Sequence, residues 1–347
     1  MSINQLIDNI PESLRHKISH YVKLSSYDKA AVLRTINKIN VKSISKGQKL
    51  NLFINLEPIN NIRGINKFHQ EVYDNLNDNQ IYICCGETIT QRSLKFRNKI
   101  RFGFKNIFLV VDFFFKRVFP KLPLSKTIYF AITRGHNRVL SKAEILGRIS
   151  SCGFKILNVF NYENKIYVIS KKNKNRSTIS KPSYGLFISL DRVGYNKKII
   201  KIYKIRTMHP FSEFIQEDIY NENKLNDKGK IENDFRLTFW GKFLRRYWID
   251  EFPQLFNLIK GDISLIGPRA LSTHYFSIYP KQIQDLRSRI KPGLIPPYYA
   301  DMPDSFDEIT SSEKKYIHKK LKYPIRTDLI YFIKSVYNIV FKGARSS

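Results

Sequence analysis

The stretch KKNKNRSTISKPS, residues 171–183, divides the chain into halves whose hydrophobic patterning differs, and this division constrains the fold more than any other feature. It is rich in Lys, Asn and Ser and ends beside Pro182, which is the composition of a linker. The chain has 347 residues, so each half is long enough to bury its own core without disulfide or metal support. Two domains are expected, residues 1–172 and 184–347, joined across residues 173–183.

In the first half, residues 50–56 and 80–85 read as short apolar strands, with an amphipathic helix at 66–76 between them. Ser141 is placed to cap a helix, with Glu144 at the capping-box position and Gly153 as the stop. Strands at 154–160 and 165–170 follow as a hairpin. This order resembles the C-terminal part of a class I methyltransferase-like Rossmann fold over about residues 45–172. Close backbone approach to a nucleotide cofactor needs a glycine-rich strand-to-helix turn, and none precedes these elements. The half therefore reads as a degenerate, non-catalytic scaffold.

The departure from that fold is an insert at about residues 90–138. It holds the longest apolar run, IFLVVDFFFKRVF at 107–119, interrupted by Asp112, Lys116 and Arg117 and followed by Pro120 and Pro123. A spanning helix needs about 18 to 20 uninterrupted apolar residues. The run is instead expected to lie in a membrane interface or to enter one leaflet and turn back. A buried helix of a soluble domain is the alternative reading.

Lys and Arg number 60 against 29 Asp and Glu, a formal charge of +31, so the surface attracts polyanions. Nucleic acid, anionic lipid headgroups and diphosphate-bearing substrates all fit that charge. Cys84, Cys85 and Cys152 form no CxxC and no Cys/His pair at zinc spacing, so neither a disulfide framework nor a metal site is indicated. The first residues contain no apolar h-region of a secretory signal, so the catalytic parts are expected to face the cytoplasm.

In the second half, residues 184–191 and 198–206 alternate apolar and polar around Gly194, Tyr195 and Asn196, a β-hairpin signal. Residues 217–233 are polar and read as loop or surface helix. Thr238 can cap a helix with Phe239, Trp240, Phe243, Leu244 and Tyr247 on one face. Asp250 is expected to open a second helix, with Pro253 in its first turn and Gly261 at its end. At such a position the helix dipole would keep Asp250 ionised.

Arg192, Lys204, Arg206, Arg236, Arg245, Arg246 and Arg269 surround one acidic pair, Asp250-Glu251. Cations around two carboxylates point to phosphoryl chemistry, because arginine forks match phosphate oxygens and a carboxylate can attack phosphorus. Four segments carry a wider match: DRVGYNKKIIKIYKIRTM (191–208), DFRLTFWGKFLRR (234–246), IDEFPQLFNLIKGDISLIGPR (249–269) and KPGL (291–294). In this order and spacing they resemble the bacterial sugar transferase family, the monotopic phosphoglycosyl transferases that start glycan assembly on polyprenyl phosphate.

The resemblance implies Asp250 as nucleophile on the sugar-linked phosphate, Glu251 as a Mg²⁺ ligand beside it, and Arg192, Arg206, Arg245 and Arg269 as substrate contacts. The sequence departs from the family pattern at Ala270, where a second proline is usual, and at IPPYYADMP after KPGL, where Thr-Gly is usual. The family's membrane-entering helix before the hairpin is replaced by the linker and the first domain, which leaves residues 107–120 as the substitute.

The expected fold is α/β: a degenerate Rossmann-like N-terminal domain and a mixed α/β sugar transferase domain, with an interfacial or re-entrant helix. The expected activity is transfer of a sugar-1-phosphate from a UDP-sugar to undecaprenyl or a similar polyprenyl phosphate, with release of UMP. It would act at an anionic membrane surface, on the cytoplasmic face of the bacterial inner membrane, as a monotopic or peripheral protein with no nucleic-acid partner. Competing readings are a basic nucleic-acid-binding protein, an active methyltransferase in the first half, and a catalytically silent scaffold of a glycan assembly complex.

Overall fold

The computed structural model describes residues 8–45, 47–99, 105–174, 185–215 and 234–344. Most of the expected linker and the polar stretch at 217–233 lie outside the described residues. The chain is α/β and divides into two compact units, residues 1–184 with 209–236, and residues 185–208 with 237–347.

The first unit is built on β1 (Ala30–Leu33), β2 (Leu50–Pro58), β3 (Leu76–Gly86), β4 (Phe154–Tyr162) and β5 (Lys165–Lys172). They form one sheet in the order β1-β2-β3-β5-β4. The first three strands are parallel, and β5 runs antiparallel to both β3 and β4. Its helices are α1 (Glu12–Ser19), α2 (Lys38–Ser45), α3 (Ile65–Asn75), α4 (Ile89–Lys99), α5 (Lys105–Phe113), α6 (Pro123–Thr133) and α7 (Lys142–Ser151).

Central strands buried on both faces read as continuous apolar runs, and alternation sorts them between two cores. Phe53, Tyr82, Cys84 and Val168 pack with Phe68 and Val72 of α3 and Ile145 and Ile149 of α7. Leu52, Ile54, Ile83, Cys85 and Ile169 pack with Leu14 and Ile18 of α1. Ser141 caps α7 by accepting from Glu144 N at 3.1 Å. The buried Glu144 carboxylate pairs with Arg148 at 2.8 Å and Arg117 at 3.1 Å.

In the insert, the charges that interrupt the apolar run face the protein. Asp112 accepts from Arg92 Nε at 2.6 Å and pairs with Lys116 at 2.9 Å, and Arg117 donates to Val139 O at 2.9 Å. Ile107, Val110, Val111 and Phe114 are exposed, as are Leu124, Ile128 and Ile132 on α6 beyond the Pro120 and Pro123 break. No helix among the described residues is long and apolar enough to cross a membrane.

Residues 209–215 follow the hairpin of the second half but pack in the first unit. Phe211 and Ile215 are buried there, and Gly147 of α7 lies so close to the Phe211 carbonyl that a Cβ would collide with it. His209 Nδ1 stands 3.0 Å from Arg117 Nη2.

The second unit opens with the hairpin β6 (Phe187–Val193) and β7 (Ile199–Ile205), which turns through Tyr195–Lys197. It continues through α8 (Phe239–Arg246), α9 (Gln254–Lys260), β8 (Ser264–Ile266), α10 (Thr273–Ile278), α11 (Lys281–Ser288), β9 (Gly293–Ile295), α12 (Tyr298–Asp301), α13 (Phe306–Lys322) and α14 (Pro324–Phe341). The β8 and β9 strands pair in parallel. The core is small, built from Ile266, Ile290, Tyr316, Ile317 and Tyr331.

Two helices of this unit turn their apolar sides outward. Thr238 caps α8 by accepting from Gly241 N at 2.8 Å, but Phe239, Trp240, Phe243 and Tyr247 are exposed. The buried side of α8 is Gly241, packed so tightly on the Thr207 carbonyl that a Cβ would not fit. On α14 the buried residues are Thr327, Tyr331, Ser335 and Asn338, whereas Ile325 is 84% exposed and Leu329, Ile333 and Val340 are exposed with it.

Candidate active site

The β6–β7 hairpin carries Arg192 and Lys204, and the segment between α8 and α9 carries the acidic pair. Asp250 does not open a long helix. It sits in the short 3₁₀ turn Ile249–Glu251, and α9 begins only after Pro253. Trp248 precedes that turn with φ 58°, a left-handed conformation uncommon for a bulky residue, and lets the chain reverse out of α8. Buried Asn257 ties α9 to β7: its amide donates to Lys201 O at 2.7 Å and its oxygen accepts from Tyr203 N at 3.0 Å.

That tie brings Lys204 Nζ to 2.6 Å from Glu251 Oε1. Asp250 beside it is 7% exposed. Burial pushes its carboxyl above the ordinary carboxylate range; Lys204 and Arg245 oppose the rise, and Glu251 adds to it. The expectation that Asp250 opens a helix is corrected here: it sits in the 3₁₀ turn instead. Desolvation outweighs the nearby cations, and α9 starts several residues downstream.

Arg269 follows Gly267 and Pro268 in a turn packed backbone to backbone on the KPGL segment. A Cβ on Gly267 would stand 2.7 Å from Gly293 N and from Lys291 O. Gly293 N donates to Pro268 O at 3.0 Å. Glycine is required at 267 and 293 because no side chain fits between the two backbones.

A cavity of about 350 Å³ is lined by Arg192, Lys204, Glu251, Arg269, Tyr298 and Tyr299, among others. Arg192 and Arg269 are near enough that burial first, and then the Arg269 charge, lower the Arg192 pKa. Two guanidiniums and an ammonium around one cavity are groups that suit an anion. Tyr298 Oη stands 3.4 Å from Arg269 Nη1, and the Tyr299 ring packs on Trp248 at 5.0 Å.

Of the six candidate residues, Arg192, Glu251 and Arg269 line this cavity. Asp250 adjoins it through Glu251. Arg206 donates to Gly185 O at 3.0 Å and Arg245 to Thr207 Oγ1 at 3.0 Å, and neither lines the cavity. Sequence reasoning placed Lys204 among the cations around the acidic pair but gave no site role to Gln254, Tyr275, Tyr298 or Tyr299. The signal for the last two was the departure IPPYYADMP itself, whose two tyrosines form part of the wall.

A family model described as bacterial sugar transferase matches residues 177–342. The chain is 34% identical to Galactosyl transferase CpsE of Streptococcus agalactiae over 145 residues, 41% of this chain and 32% of that protein. It is 35% identical to Undecaprenyl-phosphate galactose phosphotransferase of Salmonella typhimurium over 108 residues, 30% of this chain and 22% of the relative. It is 32% identical to UDP-glucose:undecaprenyl-phosphate glucose-1-phosphate transferase of Escherichia coli over 156 residues, 44% of this chain and 31% of the relative. The chain thus spans a third or less of the length of these three relatives. With the acidic pair, the arginine-lined cavity and the Gly-Pro-Arg turn all inside the matched segment, the C-terminal half of this chain belongs to the bacterial sugar transferase family.

Proposed function

We propose that the chain transfers a sugar-1-phosphate from a UDP-sugar to a polyprenyl phosphate, releasing UMP and initiating exopolysaccharide, capsule, O-antigen or glycoprotein glycan assembly. The carrying observation is the convergence of Arg192, Lys204 and Arg269 with Glu251 on one cavity, with Asp250 next in the chain. The names of the relatives, which include transferases to undecaprenyl phosphate, support the same class.

The reaction is ping-pong. The Asp250 carboxylate attacks the sugar-linked phosphorus, the bond from that phosphorus to the bridging oxygen breaks, and UMP leaves with the electron pair. An oxygen of the lipid phosphate then attacks the same phosphorus and the aspartyl P–O bond breaks, restoring Asp250. Arg192 and Arg269 hold the diphosphate oxygens. Lys204 lowers the pKa of Asp250 and so keeps more of it in the nucleophilic form.

Glu251 suits Mg²⁺, which binds through one or two carboxylates together with substrate phosphates. No cluster of three or more His, Cys, Asp or Glu side chains suited to a metal occurs among the described residues, so most ligands would come from the diphosphate and water. Mg²⁺ held there supplies neutralisation of the diphosphate charge.

The place of action is a membrane surface, the cytoplasmic face of the bacterial inner membrane. The outward apolar faces of α5, α6, α8 and α14 support this reading, as does Ile259 on α9, 85% exposed. The first unit is read as a degenerate methyltransferase-like scaffold. Support comes from the antiparallel β5 between β3 and β4, and from the segment after β1, which runs Arg34-Thr35-Ile36-Asn37 without a glycine.

The test is incubation of membranes carrying the protein with a panel of UDP-sugars, polyprenyl phosphate and Mg²⁺, scoring UMP. UMP release with at least one UDP-sugar, yielding a lipid-linked phosphosugar, is expected. No UMP with any of them contradicts the reading.

A further inference from the structure

The turn that carries Arg269 is gripped by two buried side chains that do not line the cavity. Tyr316 Oη of α13 lies 2.8 Å from Ile266 O, just before the turn. Arg287 of α11 donates from Nη2 to Arg269 O at 2.6 Å. Arg287 is in turn paired through Nη1 with Glu313 of α13 and stands over the Tyr279 ring at 4.8 Å. Glu313 is 1% exposed.

A buried Arg–Glu pair is weak as a source of net stability, since apolar residues of similar volume often do as well. Here one arm of the guanidinium fork holds the carboxylate and the other reaches the carbonyl of a cavity residue. Fixing that carbonyl fixes the backbone from which the Arg269 side chain springs, and misplacing a phosphate-binding fork by a fraction of an ångström loses its bidentate match.

We infer that Arg287, held by Glu313, is a positioning residue for Arg269 and sets the affinity of the cavity for a diphosphate group. The inference rests on reading this cavity as the diphosphate site of the proposed function.

The experiment is calorimetric titration of the full chain with inorganic pyrophosphate, with thermal unfolding measured in parallel. The variants are Arg269→Ala, Arg287→Lys, the double change Arg287→Met with Glu313→Leu, and that double change combined with Arg269→Ala. The double variant replaces the ion pair by apolar residues and should keep its thermal midpoint within a few degrees. Its Kd should rise roughly tenfold, the same loss as in Arg269→Ala, and the combined variant should lose no more than either, as expected for residues acting as one unit. Arg287→Lys keeps the charge but not the fork and should give a smaller rise; it carries the test if the double variant does not fold.

A folded double variant, or in its place a folded Arg287→Lys, that binds pyrophosphate like the parent overturns the positioning role. So do losses that add in the combined variant, or a parent that does not bind pyrophosphate. A parent that binds with the expected dependence but releases no UMP contradicts the proposed function and leaves the positioning role standing.

Discussion

Lys204 Nζ stands 2.6 Å from Glu251 Oε1, so one cation of the β6–β7 hairpin is paired with the carboxylate next to Asp250 and acts on both acids. Burial raises the Asp250 pKa, Lys204 and Arg245 lower it, and Glu251 raises it. The balance among these groups is accessible to measurement.

The acid limb of the rate–pH profile should report the ionisation of Asp250, since only the carboxylate attacks phosphorus. Lys204→Met removes a charge that lowers the pKa and should move this limb to higher pH. Glu251→Gln removes a charge that raises it and should move the limb to lower pH, whatever its effect on the maximal rate. Initial rates across pH in the two variants check the pair of signs; shifts in the same direction contradict it.

Asp250 also links stability to pH. Its folded-state pKa is raised, so the group favours the fold when protonated, and that contribution is lost as pH rises through the folded pKa. At neutral pH the ionised carboxylate therefore costs stability, and Asp250→Asn should raise the thermal midpoint. The gain should vanish below the unfolded carboxylate pKa, where parent Asp250 is neutral in both states. Calorimetric scans at neutral and acidic pH test this, and a lower midpoint in the variant at neutral pH contradicts it.

The apolar faces make a separate prediction. Ile325, Leu329 and Ile333 of α14 are exposed, so changing all three to Ser should leave the fold intact. Each side chain moved from water into an apolar medium contributes roughly 1.5–3 kcal/mol, so losing three should weaken partitioning to vesicles by about a thousandfold or more. Changing Val110, Val111 and Phe114 of the insert to Ser should act in the same direction. Co-sedimentation with vesicles containing anionic lipid gives the readout; variants that pellet as the parent does show that these faces do not seat on lipid.

Local signals in the sequence were legible because they depend on adjacent residues. The alternation around Gly194 to Asn196 gave the β6–β7 hairpin, and Ser141 and Thr238 were identifiable as caps. The four-residue strand β1 was missed because it is too short to show a period. Periodicity identified the apolar face of α8 but not its direction. A helix packs inward on whichever side admits close contact, and for α8 that side is Gly241. Asp112 and Arg117 looked like interruptions of an apolar run, yet their partners Arg92, Val139 and Glu144 lie elsewhere in the chain, while Lys116 pairs with Asp112 one turn away. The same long-range pairing hid Tyr298 and Arg287, whose roles follow from neighbours that no local pattern reveals.

The nucleophile itself is open to direct observation. If the enzyme is given UDP-sugar and Mg²⁺ without lipid acceptor and then quenched, the peptide containing Ile249 to Lys260 should carry a sugar-phosphate mass adduct at Asp250. Asp250→Asn should abolish the adduct and lower turnover by roughly a thousandfold or more, as loss of a nucleophile does. An Asp250→Asn protein that turns over near the parental rate, with no adduct on the parent peptide, contradicts the covalent mechanism and leaves a single direct displacement.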